Sequence, residues 1–511
     1  MQKLFYDTRK LDAACRQKYA LSEELMMENA ASALEEEIKN NEGAHIFILC
    51  GSGNNGADGY ALARRLAGTF DARVFASGSP KSELCVLQSL RAVNCGVKIQ
   101  SLEDFEGECT AESNGEKKII VDCIFGSGFH GDFEGETGAL IVRALNVANS
   151  MDRKNCTRIA CDVPTGLRAD GTPAGAVFCA DVTVTMGAQK ICLYSDYAKD
   201  FTGQIKVKNL GVQRELFENA LCACTGTSET ENSDGASVFL LDSDDMILPF
   251  RNKNLVNKGT FGSAYVACGE KAGAALIAAS ACFKFGAGLV TLINPDENFI
   301  QSQRAFFPME LLSSAGFGVR VDALCVGMGL GHNEKAADFY ADYLIKNQEV
   351  KCVLDADILY SPRIVQILEK RAPDCVLTPH PKEFSVLLKL CGLGEYSVED
   401  CIARRLELVQ KFCEKFKGAV LVAKGADSVT GVCARETAKT ELYINASGSS
   451  ALAKGGSGDC LAGMICSLLA QGYDSVNAAL SAGLAHGLAS KKVKNNFALT
   501  PQLLIKNLED L

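Results

Sequence analysis

Short apolar runs of strand length recur along the chain and alternate with amphipathic stretches long enough to form helices. In the first part of the sequence these runs are AHIFILC (44–50), KKIIVDCIF (117–125), TRIACDVP (157–164) and DVTVTMG (181–187). Runs that are almost continuously apolar are typical of parallel strands covered by helices on both faces. The pattern therefore predicts an α/β domain built on a parallel sheet.

A change in composition separates this part of the chain from the rest. Residues 222–236, CACTGTSETENSDGA, are small, polar and acidic, which predicts a linker or an exposed loop. We expect a first domain over 1–215, a linker over 216–240 and a second α/β domain over 241–511. The apolar runs of that second domain are FGSAYVACG (261–269), AGLVTLIN (287–294), DALCVGMGLG (322–331), KCVLDADIL (351–359), DCVLTPH (374–380) and GAVLVAKG (418–425).

The bulk properties exclude several classes of protein. The 511 residues carry a formal net charge of −10, which argues against a general nucleic-acid binder, because such domains present a basic face. The 23 cysteines are scattered through apolar runs without the paired spacing of zinc sites, so we expect reduced, buried thiols and a cytoplasmic location. The N-terminus lacks a signal-peptide pattern and no apolar stretch reaches membrane-spanning length, so no membrane partner is expected.

A glycine-rich turn precedes an apolar, helix-length stretch near the end of the chain. Residues 451–463 are ALAKGGSGDCLAG, with glycines at Gly455, Gly456 and Gly458 and a carboxylate at Asp459. Backbone N–H groups of such a turn converge at a helix N-terminus and favour an anion. We interpret the segment as a phosphate site with Asp459 as its base, and a helix N-cap is the alternative interpretation of the aspartate.

Another glycine-rich turn, CGSGNNGADGY (50–60), follows the first strong strand. It satisfies G-x-G-x-x-G, and Asp71 stands at a spacing that suits a ribose-binding acid, so a nicotinamide-dependent oxidoreductase is one hypothesis. That hypothesis leaves Asn54, Asn55 and Asp58 without a purpose, because a pyrophosphate loop needs little besides its backbone. Amide and carboxylate oxygens are ligands for hard cations instead.

Two later strand ends supply further oxygen ligands. Asp122 precedes IFGSGFHGD (124–132), while DVPTGL (162–167) brings the carboxylate of Asp162 and the hydroxyl of Thr165. The carboxyl ends of parallel strands meet at one edge of a sheet, so these loops are expected to lie together. The pattern predicts a site for a charged ligand and a cation, with helix caps and turns as the alternative for each residue alone.

Five blocks of the first domain resemble, in order, the signature blocks of the NAD(P)H-hydrate epimerase family: LMMENAA (25–31), GSGNNGADGY (51–60), DCIFGSGFHGD (122–132), DVPTGLRADGT (162–172) and ADVTVTMGAQK (180–190). The resemblance implies a Rossmann-like α/β sandwich that interconverts the R and S epimers of hydrated NADH and NADPH. It implies that Asp162 is the acid/base residue and that a potassium ion binds Asn55, Asp122 and Thr165. Contacts to the hydrated dinucleotide are implied for Asn54, Asn55, Gly56, Ala57, Asp58, Gly126, Ser127, Gly128, Asp132 and Asp162. Ala57 stands where the family commonly has a glycine.

The second domain is similar to the ADP- or ATP-dependent NAD(P)H-hydrate dehydratase family. The similar blocks are VNKGTFGSAYVACG (256–269), KAGAALIAASACFKFGAGLV (271–290), GMGLG (327–331), DADIL (355–359), TPHPKEF (378–384), AKGADSVTG (423–431) and GGSGDCLAG (455–463). This resemblance implies a ribokinase-like fold, and Asn257 and Met328 depart from the family's histidine and proline. It implies hydrate contacts at Ala275, Gly329, His380 and Asp459, and nucleotide contacts at Lys424, Gly425, Ala426, Asp427, Ser428, Gly456 and Gly458.

The residues of the second domain are also consistent with a chemical route for losing water. Hydroxide is a poor leaving group, and a hydroxyl that has accepted a phosphoryl group leaves more easily. Asp459 would take the hydroxyl proton, and the N–H groups of residues 456–458 would stabilise the transferring phosphoryl group. Magnesium is expected with ADP or ATP, shared with phosphate and water oxygens. Lys382 and Glu383 are interpreted as a solvated helix start, and DADIL (355–359) is given no catalytic role.

The two resemblances together imply a two-domain repair enzyme in which the first domain equilibrates the epimers and the second dehydrates the S form. We expect a homo-oligomer that binds hydrated NADH, hydrated NADPH and either ADP or ATP. A ribokinase-like small-molecule kinase fused to an epimerase-like domain is the first alternative. A first domain that serves only as a scaffold is the second, and the joint presence of Asn55, Asp122, Asp162 and Thr165 argues against it.

Overall fold

The computed structural model describes residues 1–110, 117–221, 236–331 and 334–511. The chain divides into two compact units, one of Lys3–Asn232 and one of Met1–Gln2 with Ser233–Leu511. Most of the expected linker, residues 222–235, lies outside the described residues. Among the described residues, no helix combines the length and the hydrophobicity needed to cross a bilayer.

The first unit is built on a parallel sheet with the strand order β4-β3-β2-β5-β6-β7-β9, and the short strands β1 and β8 pair in parallel beside each other. Its strands are β1 (Gln2–Phe5), β2 (His45–Cys50), β3 (Asp71–Ala76), β4 (Lys98–Ser101), β5 (Lys118–Cys123), β6 (Cys156–Cys161), β7 (Val182–Met186), β8 (Gln189–Lys190) and β9 (Gln204–Lys208). Its helices are α1 (Arg9–Tyr19), α2 (Glu23–Ile38), α3 (Asn54–Leu66), α4 (Glu83–Asn94), α5 (Phe105–Thr110), α6 (Gly135–Ser150) and α7 (Arg214–Glu218).

Helices cover both faces of this sheet, and the central strand β2 shows why its sequence is apolar throughout. Ile46 and Ile48 pack into one core with residues of α1, α2 and α3. Phe47 and Leu49 pack into a second core with residues of α5 and α6. Side chains alternate across a strand, so a strand buried on both faces requires apolar residues at successive positions.

The second unit also has a mainly parallel sheet, with the order β13-β12-β11-β14-β15-β16-β17-β18-β19-β10, in which β18 runs antiparallel to both of its neighbours. Its strands are β10 (Ala236–Leu240), β11 (Ser263–Ala267), β12 (Leu289–Ile293), β13 (Leu312–Ser314), β14 (Ala323–Val326), β15 (Lys351–Leu354), β16 (Cys375–Leu377), β17 (Val420–Ala423), β18 (Ser428–Cys433) and β19 (Thr440–Asn445). Its helices are α8 (Ala272–Lys284), α9 (Glu297–Gln303), α10 (Glu334–Lys346), α11 (Arg363–Arg371), α12 (Pro381–Leu390), α13 (Val398–Ala403), α14 (Arg405–Lys415), α15 (Ser457–Ala470), α16 (Ser475–Ser490) and α17 (Pro501–Asn507).

Small side chains let α8 and α15 pack closely in the core of the second unit. A Cβ atom on Gly463 of α15 would lie 2.0 Å from the carbonyl oxygen of Ala278 in α8. Ala275, Ala278 and Ala279 of α8 are fully buried in the same cluster as Cys460 and Met464 of α15. The close contact fixes the position of α15, whose first turn carries Asp459.

Each apolar run predicted as a strand contains one, and the prediction of an α/β protein with two domains is confirmed. Several strands are shorter than their runs, as with β15, which ends at Leu354 before a 3₁₀ turn over Ala356–Tyr360. Within each unit the parallel strands end at one edge of the sheet. In the first unit this brings together the loops that follow β2, β5 and β6, and in the second unit it brings together the loops that follow β14 to β17.

Candidate active sites

The loops after β2, β5 and β6 line a cleft of about 550 Å³ in the first unit. Most of the predicted residues lie in its wall, namely Asn54, Asn55, Asp58, Gly126, Ser127, Gly128 and Asp162. Three other predicted residues are not among the described residues that line the cleft. Gly56 and Ala57 are buried inside α3, and Asp132 is exposed and paired with Arg168.

Asp162 is held at the floor of this cleft by several donors. It follows β6 with a left-handed φ of 67°, a conformation that a non-glycine residue adopts only where its surroundings enforce it. The Ser127 N–H donates to Oδ2 at 3.1 Å and the Met186 N–H donates to Oδ1 at 3.3 Å. The ammonium of Lys190 lies 2.6 Å from Oδ1. Lys190 lies within the predicted block 180–190, but sequence analysis gave it no role.

The ion pair decides the protonation state of Asp162. Burial alone would raise its pKa, but the Lys190 ammonium and the backbone N–H donors outweigh burial and lower the pKa of this carboxyl below its ordinary value. Lys190 also donates to Thr185 Oγ1 at 2.9 Å and to the Met186 carbonyl at 3.1 Å, so its position is fixed. Asp162 is therefore an ionised carboxylate, ready to accept a proton.

Two further carboxyl groups in the cleft are shifted in the opposite direction. Burial raises the pKa of Asp12 to about 6, and the negative charge of Asp162 adds to the shift while Lys190 opposes it. Burial also raises the pKa of Asp58 well above its ordinary value, with Asp162 and Asp12 adding to the effect. Asp12 lies outside every motif of the sequence; it belongs to α1 and lines the cleft with Thr8 and Arg9.

The residues predicted to bind potassium form a connected group of oxygen ligands. Asp122 is fully buried and accepts hydrogen bonds from the backbone N–H and the hydroxyl of Thr165, both at 2.7 Å. The Thr165 hydroxyl lies 3.3 Å from the carbonyl oxygen of Phe125. A Cβ atom on the neighbouring Gly126 would lie 2.9 Å from Asn55 Oδ1, which places that amide beside the same loop.

This group of ligands fits a monovalent cation. The ligand that Asn55 offers a cation is its amide oxygen, which lies beside the Gly126 loop. Burial raises the pKa of Asp122 to about 6, and a cation would offset the cost of a buried carboxylate. Among the described residues, no cluster of three or more His, Cys, Asp or Glu side chains is arranged for a metal, so the set is one carboxylate with neutral oxygens.

The position of Asp71 weakens the oxidoreductase hypothesis. Asp71 is the first residue of β3, whereas the glycine-rich turn lies at the carboxyl ends of the parallel strands. Its carboxylate accepts hydrogen bonds from Arg73 at 2.9 Å and His45 at 2.8 Å. A ribose-binding acid is expected at the other end of its strand.

In the second unit, the glycine-rich turn begins helix α15. The N-cap is Gly456, whose φ of 92° is left-handed, and no side chain caps this helix. A Cβ atom on Gly456 would lie 2.5 Å from Cγ of Pro501, so both the conformation and the space require glycine. Asp459 lies in the first turn without capping it, which disfavours the alternative interpretation of this residue as an N-cap.

Lys424, predicted to contact the nucleotide, lies directly over this helix start. Its Nζ is 3.2 Å from the position that a Cβ atom on Gly458 would take, and it donates to Asp355 Oδ1 at 2.8 Å. Burial opposes its charge, but Asp355 and Glu383 raise the pKa of Lys424 above its ordinary value. Burial and the charge of Asp355 raise the pKa of Asp459 to about 6.

His380 and Glu383 form a reciprocal cap at the start of α12. The His380 backbone N–H donates to Glu383 Oε2 at 2.8 Å, and the Glu383 N–H donates to His380 Nδ1 at 3.2 Å. Lys382 is exposed, as the interpretation of a solvated helix start predicts, but that interpretation is wrong for Glu383, which is buried. Asp355, to which sequence analysis gave no catalytic role, belongs to the same cluster around Lys424.

The remaining predicted residues of the second unit include both buried and exposed positions. Gly329 accepts a hydrogen bond from the Lys271 N–H at 2.9 Å, and Ala275 is fully buried in α8. Gly425 and Ala426 are exposed, while the guanidinium of Arg405 lies against Gly425 and donates to the carbonyl of Asp427 at 2.8 Å. Ser428 begins β18.

His486 supports the helix start from the neighbouring helix α16. Its Nε2–H donates to the carbonyl oxygen of Ser457 at 2.9 Å. Burial lowers the pKa of His486 to about 4, so the imidazole is neutral at physiological pH. Sequence analysis did not single out this residue, because a lone histidine inside an apolar helix gives no signal.

Comparisons with known proteins match both units. Residues 23–192 match the family model described as YjeF-related protein N-terminus, and residues 264–510 match the model described as NAD(P)H-hydrate dehydratase. The bifunctional NAD(P)H-hydrate repair enzyme Nnr of Helicobacter pylori is 38% identical over 100% of both chains. The chain belongs to the bifunctional NAD(P)H-hydrate repair enzymes. The Nnr protein of Dictyoglomus turgidum, another member, is 28% identical over 98% of this chain and 96% of its own.

The assignment to the repair enzymes confirms the resemblances of both domains, and it does not favour the alternative of a small-molecule kinase. The second unit, which matches the dehydratase model, has the mainly parallel α/β sheet described above. A crystal structure of the ADP/ATP-dependent NAD(P)H-hydrate dehydratase of Bacillus subtilis, co-crystallised with ATP and Mg²⁺, is 26% identical. It covers 52% of this chain and 92% of its own chain, with a TM-score of 0.42.

Proposed function

We propose that this chain restores hydrated NADH and NADPH to the working cofactors in two steps. The first unit interconverts the R and S epimers, and the second dehydrates the S form with ADP or ATP. The observation that carries the proposal is the occurrence, in one repair-family chain, of Asp162 in the cleft of the first unit and Asp459 at an uncapped helix start in the second. Domain boundaries at 1–215, 216–240 and 241–511 belong to the same proposal.

In the epimerase unit, Asp162 is the proposed acid/base residue. The hydrated ring carbon carries a hydroxyl group and a ring nitrogen, so its inversion requires proton transfers and no redox partner. The lowered pKa of Asp162 supports an ionised carboxylate that is able to accept a proton, and its contacts with Lys190, Ser127 and Met186 support a defined position for it. Asn54, Asn55, Asp58 and the loop at 126–128 are proposed to bind the dinucleotide around it.

A potassium ion is proposed to bind Asn55, Asp122 and Thr165. The ion would supply a positive charge next to the loop that carries Gly126 and Ser127. The three residues supply a carboxylate, an amide oxygen and a hydroxyl, which suit a hard cation. The buried Asp122 carboxylate supports this proposal, because a cation would offset the cost of burying its charge.

In the dehydratase unit, Asp459 is proposed to remove the proton of the substrate hydroxyl while this oxygen accepts the terminal phosphoryl group of the nucleotide. Elimination of phosphate and a proton then restores the dihydronicotinamide ring. The N–H groups of residues 456–458, at a helix start that no side chain caps, would stabilise charge on the transferring phosphoryl group. Lys424 is proposed to contact the nucleotide phosphates, and His380, Gly329 and Ala275 are proposed to lie on the hydrate side.

Magnesium would bind together with ADP or ATP and would supply positive charge to the phosphoryl transfer. The described residues hold no cluster of three or more His, Cys, Asp or Glu side chains arranged for a metal, so phosphate and water oxygens are proposed to supply most of its ligands. We further propose a cytoplasmic homo-oligomer whose partners are hydrated NADH, hydrated NADPH and the nucleotide, without nucleic acid or membrane.

A direct assay of cofactor recovery tests this function. Purified full-length protein is mixed with R or S hydrate, KCl, MgCl₂ and either ADP or ATP, and the absorbance of the dihydronicotinamide ring is followed. The S hydrate should recover absorbance only with nucleotide, and the R hydrate should recover through the epimerase step. Phosphorylated product without recovery of absorbance would instead indicate a kinase, and no reaction with either hydrate would refute the proposal.

A further inference from the structure

The cleft of the first unit contains an acid/base candidate that neither the family motifs nor the sequence comparison assigns. Asp12 lies in the first turn of α1, ahead of the residues that match the family model, and its side chain lines the cleft together with Asp162. The two carboxyl groups come from different elements of the unit. Asp162 follows β6 at the floor of the cleft, and Asp12 lies on a helix at its wall.

The two carboxyl groups differ in how many groups of the protein hold them. Asp162 is held by Lys190 at 2.6 Å and by two backbone N–H groups, so it is fixed and ionised. The Asp12 carboxyl, by contrast, makes no hydrogen bond or ion pair with any described residue of the chain. A carboxyl group that is partly buried, unpaired and directed at a substrate cleft is free to exchange a proton with the substrate.

We propose that Asp12 is a catalytic residue of the epimerase cleft, whose carboxyl group gives a proton to the substrate hydroxyl while Asp162 accepts one. This proposal rests on the proposed epimerase function. Active sites that need an acid and a base commonly contain two carboxyl groups whose surroundings shift their pKa values apart. Here burial raises the pKa of Asp12 to about 6 while the ion pair with Lys190 lowers that of Asp162.

The charged groups around Asp12 come from every element packed near it. Arg16 lies on the same helix, Asp7 precedes it, Lys190 and Asp162 face it from the sheet edge, and Asp58 faces it from α3. Arg16 pairs with Glu23 of α2, and Arg214 and Glu218 of α7 pair with each other at 3.4 Å. Lys190 therefore acts on two of these carboxyl groups, Asp12 and Asp162, and is in contact with Asp162. The guanidinium groups of Arg9 and Arg16 also line the cleft, and Arg9 pairs with Asp7.

In the proposed epimerisation the ring carbon loses its hydroxyl group as water and then takes up a water molecule from the opposite face. The proton of Asp12 goes to the hydroxyl on the carbon beside the ring nitrogen, the C–O bond breaks with its electrons going to oxygen, and the nitrogen lone pair forms a C=N bond. Water then adds to the opposite face of that carbon, its electron pair closing the C–O bond and the C=N electrons returning to nitrogen. Asp162 takes the released proton and returns it through water to Asp12, so no oxidant or reductant is needed.

Asp58 is less suited to this role than Asp12. Burial raises its pKa well above the ordinary value, which favours the protonated form, a hydrogen-bond donor. An equilibration runs in both directions, so its acid must also take the proton back. A group that titrates near neutral pH performs both tasks.

The test is the pH dependence of epimer exchange by the full-length protein in KCl without nucleotide, so that no dehydration occurs. The rate of exchange is measured from about pH 5 to about pH 9 by chromatographic separation of the R and S hydrates, and a blank without enzyme gives the uncatalysed rate. Asp12 must be protonated to act, so kcat/KM of the natural protein should fall as pH rises through about 6. Asp12→Asn should lower kcat about 100-fold at the acidic end, change KM less than about threefold and abolish the descending limb.

Two further variants keep the test decisive. Asp12→Glu retains a carboxylic acid and should restore part of the rate and the descending limb. Asp71→Asn removes the same charge at the opposite edge of the sheet and should retain the natural profile. Thermal unfolding of each variant, followed by circular dichroism, shows whether the first unit is intact, and dehydration of S hydrate with nucleotide reports on the second unit.

The outcomes separate this proposal from the proposed function. If the natural protein does not accelerate epimer exchange above the blank, the epimerase function and this inference both fail. If it does, but Asp12→Asn keeps its descending limb or retains kcat within about threefold, only the role of Asp12 is overturned. A profile of the natural protein without a limb near pH 6 overturns the role of Asp12 in the same way.

Discussion

The ammonium of Lys190 lies 2.6 Å from Oδ1 of Asp162, and the two side chains are only 2% and 13% exposed. Lys190 comes from β8 and Asp162 from the loop after β6, so the pair ties two parts of the cleft floor together. The ion pair keeps a buried carboxylate charged where burial alone would favour its protonated form. Removal of either partner therefore changes both the stability and the chemistry of the cleft.

Replacement of Lys190 by methionine is expected to destabilise the first unit, because it leaves the buried Asp162 carboxylate without its counter-charge. The free energy of unfolding, measured with urea, should fall by about 3–5 kcal/mol near neutral pH. The natural pair contributes stability above the unfolded pKa of Asp162 and loses it as pH falls through the lowered folded pKa. The deficit of the variant should therefore shrink as the solution is acidified.

The double variant Lys190→Met with Asp162→Asn separates charge from packing. If the lost counter-charge is responsible, the double variant should recover part of the stability that the single variant loses. Lys118→Met is a matched control, because Lys118 is also buried in this unit and donates to the carbonyl of Cys109 at 2.6 Å. Strictly additive effects of the two substitutions would contradict the ion-pair explanation.

Gly126→Ala is expected to lower epimerase activity without unfolding the protein. The new Cβ atom would stand 2.9 Å from Asn55 Oδ1 and 3.0 Å from Asp162 Oδ2, so both functional groups must move. A small displacement of catalytic groups can lower the rate about 100-fold. Gly78→Ala, which adds the same methyl group where no atom lies within 4 Å, is the control. Equal rates for the two variants would show that the Gly126 loop tolerates a side chain.

Removal of potassium should slow epimer exchange and spare dehydration. In choline chloride the Asp122 carboxylate would stay buried without its proposed cation, which is unfavourable. Thr165→Val removes one proposed ligand and should raise the half-saturating potassium concentration by at least about tenfold. Thr183→Val is the matched control, since Thr183 is equally buried but donates to the carbonyl of Thr202 at 2.7 Å. Epimer exchange at the same rate in potassium chloride and in choline chloride would refute the potassium site.

Asp459→Asn should abolish most dehydration, because an amide cannot take the hydroxyl proton. A loss of about 100-fold or more is expected, with no fall in the melting temperature, since the charged form of this partly buried group is itself unfavourable. The base acts when ionised, so dehydration by the natural protein should fall as pH drops below about 6.

Asp400→Asn controls for position in the Asp459 experiment. Asp400 also lies in the first turn of a helix, α13, but it caps that helix through Ser397 and lies outside the cluster around Lys424. The Asp400→Asn variant should dehydrate S hydrate at the rate of the natural protein. Full dehydration by Asp459→Asn would exclude this aspartate as the base.

The strands of both sheets could be predicted wherever burial on two faces makes the sequence apolar throughout. This rule found β2, β5 and β6 and, in the second unit, β11, β12 and β14 to β17. It missed β3, whose first residues Asp71 and Arg73 are polar, and the antiparallel strands β18 and β19, whose composition is mixed. Such strands are recognised through their pairing with neighbours, which a local pattern does not contain.

The sites were predictable where a residue follows a strand or belongs to a glycine-rich turn, as for Asp162, Asp122 and Asp459. The missed residues reach their sites from elsewhere. Asp12 comes from a helix that precedes the first motif, and Lys190 comes from a two-residue strand. Glu383 appeared to be an ordinary polar helix start, because only the folded structure shows that His380 covers it.

The close contact between Gly463 of α15 and Ala278 of α8 determines where Asp459, the proposed base, is held. Gly463 follows Asp459 by one helical turn, and any larger side chain would collide with the Ala278 carbonyl. A collision there would shift α15 along its whole length and take the aspartate out of register with an incoming phosphate. The evolutionary freedom of a core glycine that touches no ligand is thereby limited by a reaction one helical turn away.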